Sequence, residues 1–353
     1  MKLSRLSLVQ PLIIGVAAAA AVILPRSPAL VEFYAVQIYP LVQSRVTAWS
    51  NTIAVPLFDL TLITLFLALV GGWAVAIRTA RRRRSVRSLA RAVSGTATGT
   101  AVVYLWFLLG WGLNYARPPI ESVIPYDATR VTPGAVRTLA EQAIGEANRT
   151  YAAAHRAGFP AIDSLPPALV ESLHHVEHDL GHVERLVPAR PKHSWLSPYF
   201  RATGVSGMLA PFWLETLLNP DLTGPERPYI LAHEWAHLAG FAPEADASFV
   251  GMVAALRADA PSQYSAWLEL VAESVNQLQP VTQRLVLASL DPGPRADQAA
   301  IAERLRAIVQ PVERVAWTAY DKALKSQGVA DGVQSYSRVV QLILGTNVLG
   351  TSP

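Results

Sequence analysis

The sequence predicts a mainly α-helical membrane protein in which three transmembrane helices precede an all-α globular domain. Three apolar stretches before residue 117 are long enough to cross a bilayer. The remainder shows the apolar periodicity of amphipathic helices. With 51% hydrophobic residues, the 353-residue chain is more apolar than an ordinary soluble domain. We therefore divide it into a membrane anchor, residues 1–117, and a helical domain, residues 118–353.

The predicted spans cover residues 6–24, 55–77 and 94–113. The first follows a short basic N-terminus and could instead be a signal peptide, but its apolar run is longer than a usual signal core, which favours a retained anchor. Residues 31–51 mix aromatic and polar side chains, as in an interfacial helix, with a plain connector as the alternative. Asp59, near the start of the second span, is predicted to lie at the interface.

The segment 78–91 holds seven arginines and no acidic residue, and it is predicted to be a cytoplasmic loop. Three crossings from an inside start then place the domain outside the cytoplasm. Without these arginines the chain has 30 − 7 = 23 basic and 26 acidic residues, a net charge of −3. The basic balance therefore reflects topology and contact with membrane lipid, and it gives no support to nucleic-acid binding.

His233-Glu234-Trp235-Ala236-His237 has the spacing of a metal site with its own general base. Two histidines four residues apart lie on one helix face and can reach one ion. The chain has no cysteine, so histidine and carboxylate are the strong ligands available. These donors suit Zn²⁺, and Glu234 would take a proton from a metal-activated water. The alternative is a core helix in which both histidines are merely hydrogen-bonded.

A third ligand is expected because catalytic zinc usually has three protein ligands. Glu244 is the first candidate. On an unbroken helix it would lie about 16 Å along the axis from His233, so the chain must turn, and Gly240 and Pro243 supply the break. The other candidates for this position are Asp246, Glu269 and Glu273.

Three further residues are candidates for contacting substrate or a developing oxyanion. Tyr264 and Tyr336 could donate a hydrogen bond to the oxyanion, with an ordinary core or surface position as the alternative. His193 lies in the Pro-, Ser- and Gly-rich segment 188–211, which is predicted to be a loop or short hairpin lining the cleft.

Apolar periodicity predicts the remaining elements as helices. They cover residues 131–157, 167–186, 211–219, 249–258, 265–278, 281–290, 296–309, 312–325 and 339–344. The 211–219 helix would carry Glu215. In the 167–186 helix, His174, His178 and His182 could form a second metal site, but the surrounding charges favour a solvated face.

Six stretches carry a resemblance to a known family: residues 111–117, 204–215, 233–241, 244–249, 264–265 and 331–336. Together they resemble a bacterial membrane-protein family known as domain of unknown function 3810. The resemblance covers nearly the whole chain. It implies a three-span anchor in the bacterial cytoplasmic membrane and an all-α, zincin-like extracytoplasmic domain, with His233 and His237 as ligands and Glu234 as base. It supplies no substrate.

Two classes of function follow. The first is a membrane-anchored extracytoplasmic zinc metallopeptidase acting on a protein or peptide of the cell envelope. The second is a non-catalytic envelope scaffold in which a metal ties helices together. A structural site has no use for a base beside a water-bearing position, so Glu234 favours catalysis.

Overall fold

The computed structural model describes residues 6–181, 186–327, 329 and 338–350. Most of these residues are helical, and two short strands form one hairpin. The anchor segment contains α1 (Leu6–Ile23), α2 (Pro28–Phe33), a π-helix (Tyr34–Ile38), α3 (Tyr39–Asn51), α4 (Leu57–Arg83) and α5 (Arg87–Gly110). The domain contains α6 (Pro133–Ala157), α7 (Pro167–Asp179), α8 (Ser197–Thr203), β1 (Gly207–Ala210), β2 (Glu215–Leu218), α9 (Arg227–Leu238), α10 (Glu244–Leu256), α11 (Ala260–Val275), α12 (Pro280–Leu287), α13 (Pro292–Leu305), α14 (Gln310–Ser326) and α15 (Val339–Thr346).

Three helices, α1, α4 and α5, are long and apolar enough to cross a membrane, as predicted. The Ser94 hydroxyl, near the start of α5, donates to Gln10 near the start of α1, and the short helical turns that follow these helices, residues 24–26 and 112–116, also contact each other. The two helices therefore run parallel. The predicted arginine loop is shorter than expected. Both α4 and α5 extend into it, and only residues 84–86 separate them. The arginines in the last turn of α4 favour this extension because they interact well with the helix dipole.

Helix α3 packs against the domain through its polar face. Gln43 donates to the Val187 carbonyl over 2.8 Å, and Thr47 donates to the Leu214 carbonyl over 3.2 Å. Its apolar side chains Leu41 and Trp49 are exposed instead. Exposed apolar side chains beside a buried polar face suit the predicted interfacial helix, which stays a prediction.

The predicted helix at 211–219 is wrong, and with it the prediction of an all-α domain. β1 and β2 pair antiparallel, with Gly207 opposite Leu218 and Ala210 opposite Glu215. The other edge of β2 is used too: the Lys192 N–H donates to the Thr216 carbonyl over 2.9 Å. Residues 215–218 are buried throughout. Pairing on both edges of β2 satisfies the hydrogen-bonding groups of its backbone. The apolar periodicity of the segment itself does not reveal this pairing.

Glu215 joins the hairpin to α4, one of the three long apolar helices. Its carboxylate accepts from the N–H groups of Leu57 and Phe58 over 3.0 and 2.9 Å, and so caps the first turn of α4. Lys192 Nζ lies 2.5 Å from Glu215 Oε1 and also donates to the Ser50 carbonyl. Both charged side chains are buried. Removing one partner would leave an unpaired buried charge, so this pair fixes the domain on the anchor.

The core of the domain forms where α6 lies along α11 and α10 lies along α9. The Thr132 hydroxyl caps α6, with Pro133 in its first turn, as the sequence predicts. Helix α7 ends at Asp179, earlier than the predicted residue 186.

The described part of α7 does not support the second metal site. His174 Nε2 is hydrogen-bonded to the Leu186 carbonyl over 2.9 Å. The side chain of His178 is 85% exposed, as the predicted solvated face requires. His182 lies outside the described residues.

Glu177 on α7 provides a pH-dependent test of the fold. The carboxyl is buried, and burial raises its pKa to about 8, although the Leu186 N–H donates to it. An unfolded glutamate ionises near pH 4.3, so the folded state binds more protons between these pH values. Stability therefore falls as pH rises from about 4.5 to 8, by at most about 1.4 kcal/mol per pH unit from this group. We expect Glu177→Gln to flatten the pH dependence of the thermal-unfolding midpoint. An unchanged slope would contradict this.

Candidate metal centre

Helix α9 carries the motif, and local signals determine where it begins and ends. Before it, Thr223 and Glu226 form a capping box in which the Thr223 N–H donates to Glu226 Oε2 over 2.8 Å. After it, Gly240 adopts φ = 95°, a conformation that disfavours side chains. Pro243 then precedes α10, which begins at Glu244. The predicted break between the motif and Glu244 is therefore confirmed.

Close packing of α10 on α9 brings Glu244 to the histidines. A Cβ atom at Gly251 would lie 2.8 Å from the His233 nitrogen and 2.9 Å from its Cα. The two backbones are thus nearly in contact at this crossing, and only glycine fits between them. Since α10 runs back along α9 from the break, its first residue lies beside the motif.

His233, His237 and Glu244 form the one potential metal-binding group found among the described residues. Glu244 Oε2 lies 3.3 Å from His233 Nε2 and 3.2 Å from His237 Nε2. One donor atom from each residue lies within 4.8 Å of the others, and all three residues are buried. This cluster could hold a metal ion. Asp246 instead accepts a hydrogen bond from the Ile120 N–H over 3.2 Å, and Glu269 and Glu273 are outside the cluster.

The hydrogen bonds around the histidines fit a cation at this point. His237 Nδ1 lies 2.9 Å from the Phe241 carbonyl, which can only accept, so Nδ1 carries a proton. In the neutral ring, Nε2 then presents its lone pair towards Glu244 Oε2. Two acceptors this close need a proton or a metal ion between them. The donor set of two imidazoles and one carboxylate is one that zinc favours.

The outer partners of the ligands complete the site. The Ser248 hydroxyl lies 3.3 Å from His233 Nδ1 and orients that ring. The Tyr320 hydroxyl on α14 donates a short hydrogen bond to Glu244 Oε1. Oε2 is thereby left to face the histidines. Tyr320 and Ser248 are not predicted as site residues, because neither belongs to the motif and Tyr320 lies 76 residues after Glu244.

Glu234 is buried beside β1 and does not belong to the ligand group. Burial raises the pKa of its carboxyl above the ordinary value, against the opposing effect of the nearby histidines and a hydrogen bond from the Leu209 N–H. A Cβ atom at Gly207 would lie 2.6 Å from Glu234 Oε1. Gly207 therefore leaves the space that this carboxylate occupies.

One cavity of about 670 Å³ is lined by all four residues of the motif and cluster: His233, Glu234, His237 and Glu244. Its other walls come from the end of α5, from α8, from residues 204–211 and from α14. Most of these side chains are apolar or aromatic. The carboxylates of Glu269 and Glu273 also line it, and burial raises the pKa of Glu269 to about 8. The volume of the cavity lies in the range of known ligand-binding sites, so it could hold part of a substrate.

Of the three residues predicted to contact substrate, the two that the structure describes are not brought to the cluster. Tyr264 is buried outside the cavity, and its hydroxyl donates to Asp297 over 2.5 Å. This is the core position given as the alternative. His193 is exposed and does not line the cavity. Tyr336 lies outside the described residues.

Gly207→Ala tests the position of Glu234. The added methyl group would collide with the end of a flexible side chain, so we expect Glu234 to move while the fold and the metal ligands stay in place. Any hydrolytic activity should fall about 10-fold or more, with metal content unchanged. Gly145→Ala on α6 is the matched control, because a Cβ atom there meets nothing within 4 Å. Equal activity in the two variants would contradict the placement.

The comparisons with known proteins bear on the family. No curated protein and no solved structure shows a significant match to the chain. The family model described as "Protein of unknown function (DUF3810)" matches residues 34–344, which is most of the sequence. The match includes the long apolar helices α4 and α5, the hairpin and the potential metal-binding cluster. The predicted resemblance is thus confirmed, and the chain belongs to the DUF3810 family.

Proposed function

We propose that the protein is a membrane-anchored zinc metallopeptidase, which hydrolyses a peptide bond with a metal-activated water. The single observation that carries this proposal is that Glu234 and the three potential ligands face one open cavity. This is the arrangement of a catalytic site, in which three protein ligands leave a position for water or substrate. A structural metal site is usually closed by a fourth protein ligand, and none is found among the described residues.

The residues of the chain have distinct roles in this reaction. When bound, zinc supplies Lewis-acid chemistry and lowers the pKa of water to about 7. Glu234 accepts the proton of the attacking water and passes it to the leaving amine. Its raised pKa suits this exchange at neutral pH. Residues 206–209 line the cavity, so an extended peptide could lie beside β1 with its scissile carbonyl near Glu234.

The distribution of charge supports an extracytoplasmic domain. The arginine cluster lies at the end of α4 and the start of α5, whereas the domain is attached at their opposite ends. By the positive-inside rule, this distribution supports a domain on the side of the membrane opposite the cytoplasm. We take this side to be the outer face of a bacterial cytoplasmic membrane. The substrate would be a protein or peptide of the envelope.

A direct test uses the full-length protein in detergent micelles, loaded with zinc and incubated with a degenerate peptide library. We expect new peptide N-termini by mass spectrometry, loss of cleavage with a zinc chelator, and recovery when zinc is returned. A protein that binds one zinc ion per chain and cleaves no peptide would contradict the peptidase proposal. It would favour the scaffold function instead.

A further inference from the structure

The candidate metal centre lies directly beside the end of a membrane helix. Helix α5 ends at Gly110, and the side-chain N–H of the next residue, Trp111, donates to the His237 carbonyl over 3.0 Å. The Trp111 ring centroid is 6.3 Å from that of His237. A metal ligand is therefore within a side chain's reach of the point where the chain leaves the membrane.

Two walls of the cavity are attached to membrane helices. Phe107 of α5 and Trp111, which directly follows this helix, line it, and so do Tyr199 and Phe200 of α8. The segment that leads into α8 is held by Asp59, in the first turn of α4. Its carboxylate accepts from the Ser194 hydroxyl over 2.8 Å and from the Trp195 N–H over 2.6 Å. The cavity thus opens at the level where α4 begins and α5 ends.

The hairpin turn beside the cavity inserts aromatic side chains between the same helix ends. Trp106 of α5 contacts Phe212 and Trp213, with ring centroids 5.3 and 4.7 Å apart. The indole N–H of Trp213 donates to the Thr61 hydroxyl of α4 over 2.7 Å. Because this turn connects β1 to β2, the strand that flanks Glu234 is fixed at the membrane surface.

Exposed aromatic side chains surround this region. Trp195 is 56% exposed, Trp49 is 49% exposed, and Tyr199, which lines the cavity, is 45% exposed. Aromatic residues in such positions mark the boundary between membrane and water. Exposed aromatic side chains around a cavity mouth in water would not be stabilised by their surroundings. Around a mouth at the bilayer surface, the same side chains would lie among lipid headgroups.

We infer that the substrate is a membrane-tethered polypeptide whose scissile bond lies within a few residues of the bilayer surface. This inference rests on the proposed peptidase function and names the substrate class. Water adds across the amide: the C–N bond breaks, the hydroxyl joins the carbonyl carbon, and the amine leaves with a proton. A tethered chain enters the cavity laterally between α5 and α8, past Tyr199, while its anchor stays in the lipid.

The depth of the cavity mouth can be measured without any activity. The chain has no cysteine, so single spin labels can be placed at Trp195→Cys and Tyr199→Cys in vesicle-reconstituted protein. Arg137→Cys on α6 is the control, at an exposed side chain of a helix that packs on α11. We expect labels at 195 and 199 to collide with lipid-dissolved oxygen at least about threefold more often than the control label does. Collision rates equal to the control's would overturn the inference.

Cleavage in vesicles separates this inference from the proposed function. The probe is the degenerate peptide library linked to a phospholipid by a flexible spacer of 5 or 40 residues, and the same library free in solution. A 40-residue spacer extends about 35 Å as a random coil, which places the peptides beyond the surface layer. We expect the short-spacer probe to be cleaved at least about 10-fold faster than the long-spacer probe. Glu234→Gln is the inactive reference.

The outcomes are distinct. Equal cleavage of short, long and free probes would overturn the tethered substrate and leave the peptidase function standing. No cleavage of any probe by zinc-loaded protein would overturn the peptidase function itself, whatever the labels report. Release of fatty acid from the phospholipid, with the peptide intact, would assign ester hydrolysis and contradict both.

Discussion

Glu234→Gln is expected to lower peptide hydrolysis by about 10²- to 10⁴-fold while zinc stays bound, since general acid–base catalysis usually contributes that much. Glutamine keeps the size and most of the packing of Glu234 but cannot accept the proton. The ligand cluster does not include this residue, so metal content should equal that of the unmodified protein. Cleavage rate and zinc per chain are measured on the same preparation.

The control for this substitution is Glu141→Gln, an exposed glutamate that pairs with Arg137 on the surface of α6. Its activity should remain within about twofold of the unmodified protein, because exposed pairs contribute little. If Glu234→Gln retained full activity, Glu234 would not be the base. A loss of zinc in this variant would show that the carboxylate acts as a ligand.

Glu244→Ala and His237→Ala are expected to abolish stoichiometric zinc binding. Each removes one of the three donors that converge in the cluster. In the unmodified protein, zinc at 1,000 times its dissociation constant should stabilise the fold by about 4 kcal/mol. Neither variant should gain this stabilisation, which can be followed as the zinc-dependent shift of the thermal-unfolding midpoint.

The matched control is Asp246→Asn, because Asp246 was the competing candidate two residues away. Its carboxylate accepts from the Ile120 N–H, outside the cluster. We expect Asp246→Asn to bind one zinc ion per chain, even if its midpoint is lower. Zinc lost in Asp246→Asn and kept in Glu244→Ala would reverse the assignment of the third ligand.

The sequence predicts the helices and the three residues of the potential metal-binding cluster well because their signals are local. The His233–His237 spacing depends on helix geometry alone, and the break at Gly240 and Pro243 requires only those two residues. The spans are equally local, since length and apolar composition define them. Helix α1 starts and ends within one residue of the first predicted span, 6–24.

The parts that local signals miss depend on distant partners. Residues 215–218 form a strand because β1 and Lys192 pair with its two edges, and a window on that segment cannot contain either partner. Tyr320 reaches Glu244 only because α14 folds back over the cavity. Asp59 was predicted at the interface from its position, but its hydrogen bonds to the 194–195 segment follow from the tertiary fold.

The buried pair of Lys192 and Glu215 has a practical consequence for protein production. A soluble version starting at Pro118 would lack Ser50, Leu57 and Phe58, which provide five of the hydrogen bonds of this pair. It would also lack Tyr39 and Trp111, whose side chains donate hydrogen bonds to the last carbonyl groups of α9. Such an excised domain would expose apolar surface next to the metal ligands. If the excised domain were inactive or aggregated, the cause would be the missing anchor segment. The result would not bear on the chemistry of the intact protein.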